Sequence, residues 1–227
     1  MPSAENAPWL LRRPQDRRVT LAQARARLAE LPTPGLVAGF TGVLRPKASA
    51  VLVPLGERDG EAALAFTKRP STMRHHRDMW VFPGGRFDSD ADLTTRDTAL
   101  REGREELGLA ASDIRILGQL NTRGPISSGF VLDIFVAEVD FSRLAPDPRE
   151  VADWEVTSIA ALTAETAYRE TFDLPEFDVG HTAEGVVLPV GRTERVLRYF
   201  EIRAGDHAWG LQGEMLHELL SWLLPAP

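Results

Sequence analysis

Three glutamates, Glu102, Glu105 and Glu106, have the spacing in this chain that could most directly do chemistry. At i, i+3 and i+4 their carboxylates share one face if the segment is helical. Hard divalent ions such as Mg²⁺ take oxygen ligands and keep waters and substrate phosphates in their shell. The spacing therefore predicts a helix face that binds a divalent metal ion beside a phosphate-containing substrate.

The neighbours of these glutamates favour a metal site over a solvated acidic face, which is the usual explanation of an isolated charge run. Arg101 lies four residues before Glu105 and can pair with it, which would fix the orientation of a ligand carboxylate. Gly108 stands where a helix C-terminal glycine belongs. The turn-forming segment Phe82-Pro83-Gly84-Gly85 precedes the helix at a distance that a loop can fold back across.

The segment from Arg101 to Leu109, together with Gly85, resembles the Nudix box, in which a glycine precedes a helix reading Arg-Glu-aliphatic-x-Glu-Glu-x-Gly-aliphatic. The resemblance implies hydrolysis of a phosphoanhydride bond with Mg²⁺ or Mn²⁺ as cofactor. It also implies the residue roles: principal metal ligands Glu105 and Glu106, a further ligand or base Glu102, an orienting partner Arg101, and a candidate carbonyl ligand Gly85. Glycine at 84 and 85 would let the backbone approach the metal and phosphates closely.

Two positions depart from the family pattern. Gly85 and Arg101 are sixteen residues apart, two more than in the family, and the family's loop glutamate has no assigned counterpart among Asp88, Asp90 and Asp92. Gly103 replaces an aliphatic residue. Glycine inside a helix costs about 0.5–1 kcal/mol relative to alanine, so we expect close packing at this position to offset that cost.

A water-activating base in this family often comes from a separate loop, and Glu150 is our candidate. It follows one predicted strand and precedes another. An exposed loop glutamate without a role is an equally good explanation of this residue.

Cationic side chains directly before the Gly-Gly turn could bind phosphate oxygens that do not belong to the cleaved bond. The segment resembles the signature of the coenzyme A pyrophosphatase branch, in which Thr67, Arg69, Arg74 and Phe82 fall in register. Pro70 replaces Ser or Ala, and Asp78 replaces Gly. The predicted substrate-binding residues are Arg69, Arg74, Arg77, Phe82 and Gly84.

The resemblance to that branch implies cleavage of coenzyme A or acyl-CoA to 3′,5′-ADP and 4′-phosphopantetheine. Hydrolysis of ADP-ribose, a nucleotide-sugar or a dinucleotide is the alternative within the enzyme class. A Nudix-fold ligand-binding module with little catalysis is the alternative from another class, and the retention of all three glutamates argues against it.

Composition limits the classes of protein that this chain can represent. The 227 residues are 43% hydrophobic and 26% charged, as in ordinary globular proteins. The absence of cysteine excludes disulfides and thiolate metal sites. The net charge of −7 argues against nucleic-acid binding. No apolar run is long enough to cross a membrane and no signal peptide is evident, so a cytoplasmic location is expected.

The predicted fold class is α/β: a Nudix-type α/β/α sandwich with a mixed sheet, plus an N-terminal helical extension. Residues 1–45 form the extension and residues 46–227 the Nudix hydrolase domain. The extension's helix can dock on the main domain or on a second copy of the chain as a homodimer, and the sequence does not choose. Strands are expected at Ala48 to Pro54 and Ala62 to Thr67, a short helical piece at Ala160 to Thr166, and a closing helix at Leu211 to Leu224.

Overall fold

The computed structural model describes residues 17–38, 47–72, 78–124, 129–162, 164–173 and 192–224. Within these ranges the helices are α1 Leu21–Leu28, α2 Thr95–Leu107 and α3 Leu211–Leu223. The strands are β1 Leu36–Ala38, β2 Lys47–Arg58, β3 Glu61–Lys68, β4 Trp80–Val81, β5 Gly84–Arg86, β6 Ile114–Gly124, β7 Phe130–Val139, β8 Asp153–Ser158, β9 Ala164–Asp173, β10 Arg192–Arg203 and β11 Asp206–Ala208.

The main sheet is mixed. Its strand order is β1-β6-β7-β2-β3-β4, with β5 paired to β2 and β8 paired to β3. The pairs β1/β6 and β2/β7 are parallel, and the other pairs of this sheet are antiparallel. A second sheet has the order β11-β10-β9 and is antiparallel. The β2–β3 hairpin turns at Asp59 and Gly60, which both have positive φ, the geometry that suits a two-residue hairpin loop.

Strand β2 shows why helices cover both faces of the main sheet. Its alternate residues Ala50 and Leu52 join one buried cluster, to which α2 contributes Ala99 and Leu107. The intervening residues Val51, Val53 and Leu55 join a second cluster, which contains residues of α1 and α3. Because successive side chains of a strand point to opposite faces, both faces are covered. The predicted α/β/α sandwich is confirmed.

Helix α2 is held by its ends and by one interior glycine. Thr94 caps its N-terminus in a capping box with Asp97, and Gly108 ends it with φ 66°. A Cβ atom added to Gly103 would lie 2.4 Å from a methyl carbon of Leu52. The interior glycine therefore lets the helix lie close to β2, as expected from the sequence.

Helix α1 docks on the domain of its own chain. Its buried residues Ala24 and Leu28 belong to the same cluster as α3. Arg25 Nε donates a 2.6 Å hydrogen bond to the carboxylate of Glu138 on β7. The division of the chain at residues 45 and 46 stays a prediction, because residues 39–46 lie outside the described ranges.

One sequence-based expectation is wrong. Of the predicted helical piece from Ala160 to Thr166, residues 160 and 161 lie in a turn and residues 164 to 166 belong to β9, which pairs with β10. Pairing with β10, a strand far along the chain, decides this segment over its local helical preference. Within the described ranges, no helix is both long enough and apolar enough to cross a membrane.

Candidate active site

Arg101 joins two of the three predicted ligands to the loop before α2. Its Nη1 donates to Glu102 at 2.8 Å and to Glu105 at 3.1 Å. Its Nε and Nη2 each donate to Asp92 at 3.1 Å, and Nη2 also donates to the carbonyl of Arg86 at 3.1 Å. A single planar guanidinium thus sets the positions of two carboxylates on the helix face.

Asp92 is the residue that sequence reasoning left unassigned. Its side chain is buried and accepts hydrogen bonds from the Thr98 hydroxyl at 2.8 Å and the Asp88 backbone N–H at 3.1 Å. Hydrogen bonding to Arg101 lowers the pKa of Asp92 to about 2. Asp92 therefore stays charged and holds Arg101 in place. The sequence showed three aspartates in this loop, but it did not show which of them would contact Arg101, because that depends on how the loop folds.

Glu106 is the most deeply buried of the predicted ligands, with 7% of its surface exposed. Its Oε1 accepts a 3.4 Å hydrogen bond from the backbone N–H of Gly84. The pKa of Glu106 is raised to about 7, mainly by burial and also by the charges of Glu102 and Glu150. The Gly84 hydrogen bond and the positive charge of Arg69 oppose this shift. This carboxylate lies where a positive charge would be strongly favourable.

The two glycines of the turn make room for their neighbours. A Cβ atom added to Gly85 would lie 2.0 Å from Oε1 of Glu102, and one added to Gly84 would lie 2.6 Å from the carbonyl oxygen of Ala50. The Glu102 side chain therefore lies directly against the Gly85 backbone. Burial also raises the pKa of Glu102. The structure thus adds a second reason for Gly85, beyond the predicted approach of the backbone to metal and phosphates.

The loop carrying Glu150 is anchored at both ends beside the buried glutamates. The backbone N–H of Asp147 donates to the carbonyl of Glu106 at 3.3 Å, and that of Ala152 donates to the carbonyl of Lys68 at 2.8 Å. Glu150 N–H donates to the Asp147 carbonyl at 3.0 Å. The charge of Glu150 raises the pKa of Glu106 and of Glu102. The loop that carries Glu150 is therefore hydrogen-bonded to the end of α2 on which Glu106 lies.

The predicted substrate-binding residues fall in three different situations. Arg69 is partly buried, and its charge acts on Glu106. The Phe82 ring is buried and stacks on Phe66 with ring centroids 4.8 Å apart, so the ring is not exposed to a substrate. Arg74 and Arg77 lie outside the described residues.

The arrangement of the carboxylates bears on metal binding. Within the described ranges, no three acidic or histidine side chains already converge as a metal-ligand set. Arg101 instead holds Glu102 and Glu105, and the Glu105 side chain is half exposed. The donor types nevertheless fit a hard divalent ion. The negative charges of Glu102, Glu106 and Glu150 repel one another, and such an ion would reduce this repulsion.

Comparison with known proteins identifies similar sequences. Residues 46–175 match the family model described as the NUDIX domain. A Caenorhabditis elegans protein named Nudix hydrolase 3 is 33% identical over 194 residues, covering 78% of this chain and 74% of that protein. A human protein named mitochondrial coenzyme A diphosphatase NUDT8 is 41% identical over 128 residues, covering 54% of this chain and 53% of that protein. The chain thus spans about half the length of the human relative.

A solved structure of a MutT/nudix family protein from Enterococcus faecalis is 15% identical to this chain, with a TM-score of 0.46. The superposition covers 88% of this chain and 68% of that one.

Proposed function

Because this chain belongs to the Nudix hydrolase family, we propose that it cleaves the diphosphate bond of coenzyme A or acyl-CoA, giving 3′,5′-ADP and 4′-phosphopantetheine. The observation that carries the proposal is the carboxylate cluster of α2, packed against the Gly84-Gly85 turn and anchored by Arg101. The 41% identity to a human protein named coenzyme A diphosphatase supports the choice of substrate.

Nudix hydrolases generally use divalent metal ions, and here we propose Mg²⁺ or Mn²⁺ held by Glu102, Glu105, Glu106 and the carbonyl of Gly85. Such an ion would supply charge neutralisation at the diphosphate oxygens. Arg101 orients the carboxylates, and Arg69, whose charge lowers the pKa of Glu106, is proposed to bind a phosphate oxygen outside the cleaved bond.

Glu150 is the proposed general base. The hydrogen bond between its loop and Glu106 supports this role, in which Glu150 would take a proton from the attacking water. The water oxygen bonds to phosphorus as the bridging P–O bond breaks, and the two products leave as phosphate monoesters. The remaining phosphate contacts are proposed for Arg74 and Arg77, because the backbone N–H groups of Phe82 and Gly84 already donate to Gln212 and Glu106.

The backbone at Asp78 bears on the choice of substrate. In the coenzyme A branch this position is glycine. Asp78 has φ 56°, in the left-handed region that glycine favours and that Asp tolerates better than most residues. The replacement therefore keeps a backbone conformation that a glycine would adopt. Pro70 remains a departure, which is why ADP-ribose, nucleotide-sugars and dinucleotides belong in the test.

We expect a substrate panel to show the highest kcat/KM for coenzyme A or an acyl-CoA. The panel contains coenzyme A, acetyl-CoA, ADP-ribose, NADH, dinucleoside polyphosphates and nucleoside triphosphates, each with Mg²⁺ and with Mn²⁺, with products separated by chromatography. Release of 3′,5′-ADP identifies the cleaved bond. Efficient turnover of ADP-ribose without turnover of coenzyme A would replace the proposed substrate and leave the reaction type intact.

Replacing Gly85 with alanine is expected to lower kcat about 10²-fold, because the new Cβ would displace Glu102 from its present position. A displacement of about 1 Å in a catalytic group can cost that much. The matched control is Gly35→Ala, where the nearest atom to an added Cβ is Asn121 Oδ1 at 3.4 Å. Unchanged kcat in Gly85→Ala would contradict the role of this contact.

The homodimer and the cytoplasmic location stay predictions. The name of the human relative places that protein in mitochondria. Sedimentation of the purified chain and imaging of a tagged copy would test them separately.

A further inference from the structure

Two aromatic side chains, Trp209 and Tyr199, stack on the three-stranded sheet beside the candidate site. Their ring centroids are 5.7 Å apart and their planes differ by 11°. Trp209 is 38% exposed. Tyr199 therefore covers part of one face of the indole, while a substantial fraction of the Trp209 residue remains exposed. Such a flat aromatic surface is what a nucleobase stacks on.

The stack is held by buried neighbours. Ala208, directly before Trp209, is fully buried and pairs with Phe200, which is also fully buried and follows Tyr199 on β10. Gly210, directly after Trp209, has φ 62° and ψ −128°, a conformation that favours glycine. The backbone of Trp209 is therefore fixed between β11 and α3, and its ring packs on Tyr199, which lowers the conformational freedom to be lost when a ligand stacks on it.

The stack borders the turn that leads to the carboxylates. Gln212, three residues after Trp209, accepts a 3.2 Å hydrogen bond on Oε1 from the backbone N–H of Phe82. Two residues further along that turn, Gly84 donates to Glu106. The Cα atoms of Trp209 and Gln212 are at most about 11 Å apart, because three residues separate them. The backbone of Trp209 therefore lies near the segment that leads into the Gly84-Gly85 turn.

We propose that Trp209, supported by Tyr199, binds the purine base of the nucleoside diphosphate substrate by stacking. This assignment rests on the proposed function for the identity of the ligand. The exposure of Trp209 does not by itself indicate ligand binding, because single exposed apolar residues are common and Trp222 is also 38% exposed. Trp222 lies ten residues beyond Gln212 on α3, about 15 Å along the helix axis. It therefore serves as the matched control.

The test separates base recognition from phosphate recognition. Binding of 5′-AMP and of ribose 5-phosphate, which lacks the base, is measured by titration in the absence of divalent metal, so that no turnover is needed. We expect Trp209→Ala to weaken 5′-AMP about tenfold, equal to about 1.4 kcal/mol, and to change ribose 5-phosphate less than twofold. Trp209→Phe keeps an aromatic face and is expected to stay within about threefold of the wild type. Trp222→Ala is expected to match the wild type.

Steady-state kinetics provide the second readout. With coenzyme A, Trp209→Ala is expected to raise KM about tenfold and to change kcat less than threefold, because the base lies away from the bond that breaks. If Trp209→Ala fails to fold, Trp209→Leu keeps the apolar volume without the aromatic face. The assignment would be overturned if Trp209→Ala weakened the binding of 5′-AMP and of ribose 5-phosphate equally. It would also be overturned if the Ala or Leu variant lost no more affinity for 5′-AMP than Trp222→Ala. Absence of hydrolysis with base-dependent binding retained would overturn only the proposed reaction.

Discussion

The variant Glu105→Gln is expected to lower kcat/KM about 10²- to 10³-fold while leaving the fold intact. Glu105 shares Nη1 of Arg101 with Glu102, and its side chain is half exposed. Glutamine keeps the shape and an oxygen that can accept from Arg101, so the substitution removes mainly the negative charge. Loss of a charged metal ligand removes several kcal/mol of transition-state stabilisation, whereas a half-exposed ion pair contributes little to stability.

The measurement is steady-state kinetics at saturating Mg²⁺, with thermal unfolding as the check on folding. Glu30→Gln, on an exposed residue after α1, is the control and is expected to match the wild type. A Glu105→Gln rate within threefold of the wild type would contradict the ligand assignment. The same result would favour a ligand-binding module over an enzyme.

The variant Glu106→Gln is expected to be more stable than the wild type at pH 8 when metal is chelated. Burial raises the pKa of Glu106 in the folded protein from 4.5 to about 7. Between these values the folded protein keeps a proton that the unfolded chain has released, so the free energy of unfolding falls as pH rises. At 1.36 kcal/mol per unit, the difference amounts to about 3 kcal/mol. Glutamine is neutral throughout and does not incur this loss.

Urea unfolding with a chelator at pH 4.5 and at pH 8 measures the effect. We expect the variant and the wild type to differ by less than about 1 kcal/mol at pH 4.5 and by about 3 kcal/mol at pH 8. Adding Mg²⁺ at pH 8 is expected to stabilise the wild type more than the variant, because binding to the folded state raises its stability. If the two proteins differed in free energy of unfolding by the same amount at both pH values, burial would not disfavour the charged form of Glu106. Glu30→Gln again serves as the control.

The buried carboxylates of this site thus destabilise the folded protein until a positive charge enters the site. Glu106 is buried beside Glu102 and Glu150, and Arg101 contributes its charge mainly to Asp92, Glu102 and Glu105. Stability and binding oppose each other at Glu106, as is common where charged groups are buried for function.

The sequence by itself determined the features that depend on near neighbours. Glu102, Glu105 and Glu106 share a face because of helical spacing, Arg101 reaches Glu105 across one turn, and Gly108 ends the helix. The same holds for strands β2 and β3, which two apolar runs separated by the turn-forming Asp59 and Gly60 predict. Each of these needs only residues a few positions apart.

Only the tertiary structure decided the features that join distant segments. Asp92 is distinguished from the other loop aspartates by where the loop folds, and Glu102 needs Gly85 because its side chain lies on that backbone. The segment after Ala160 became a strand because β10 pairs with it. Trp209 borders the Phe82 turn through Gln212, 130 residues away in sequence from Phe82. Such contacts depend on packing and burial of the whole chain, which local spacing does not encode.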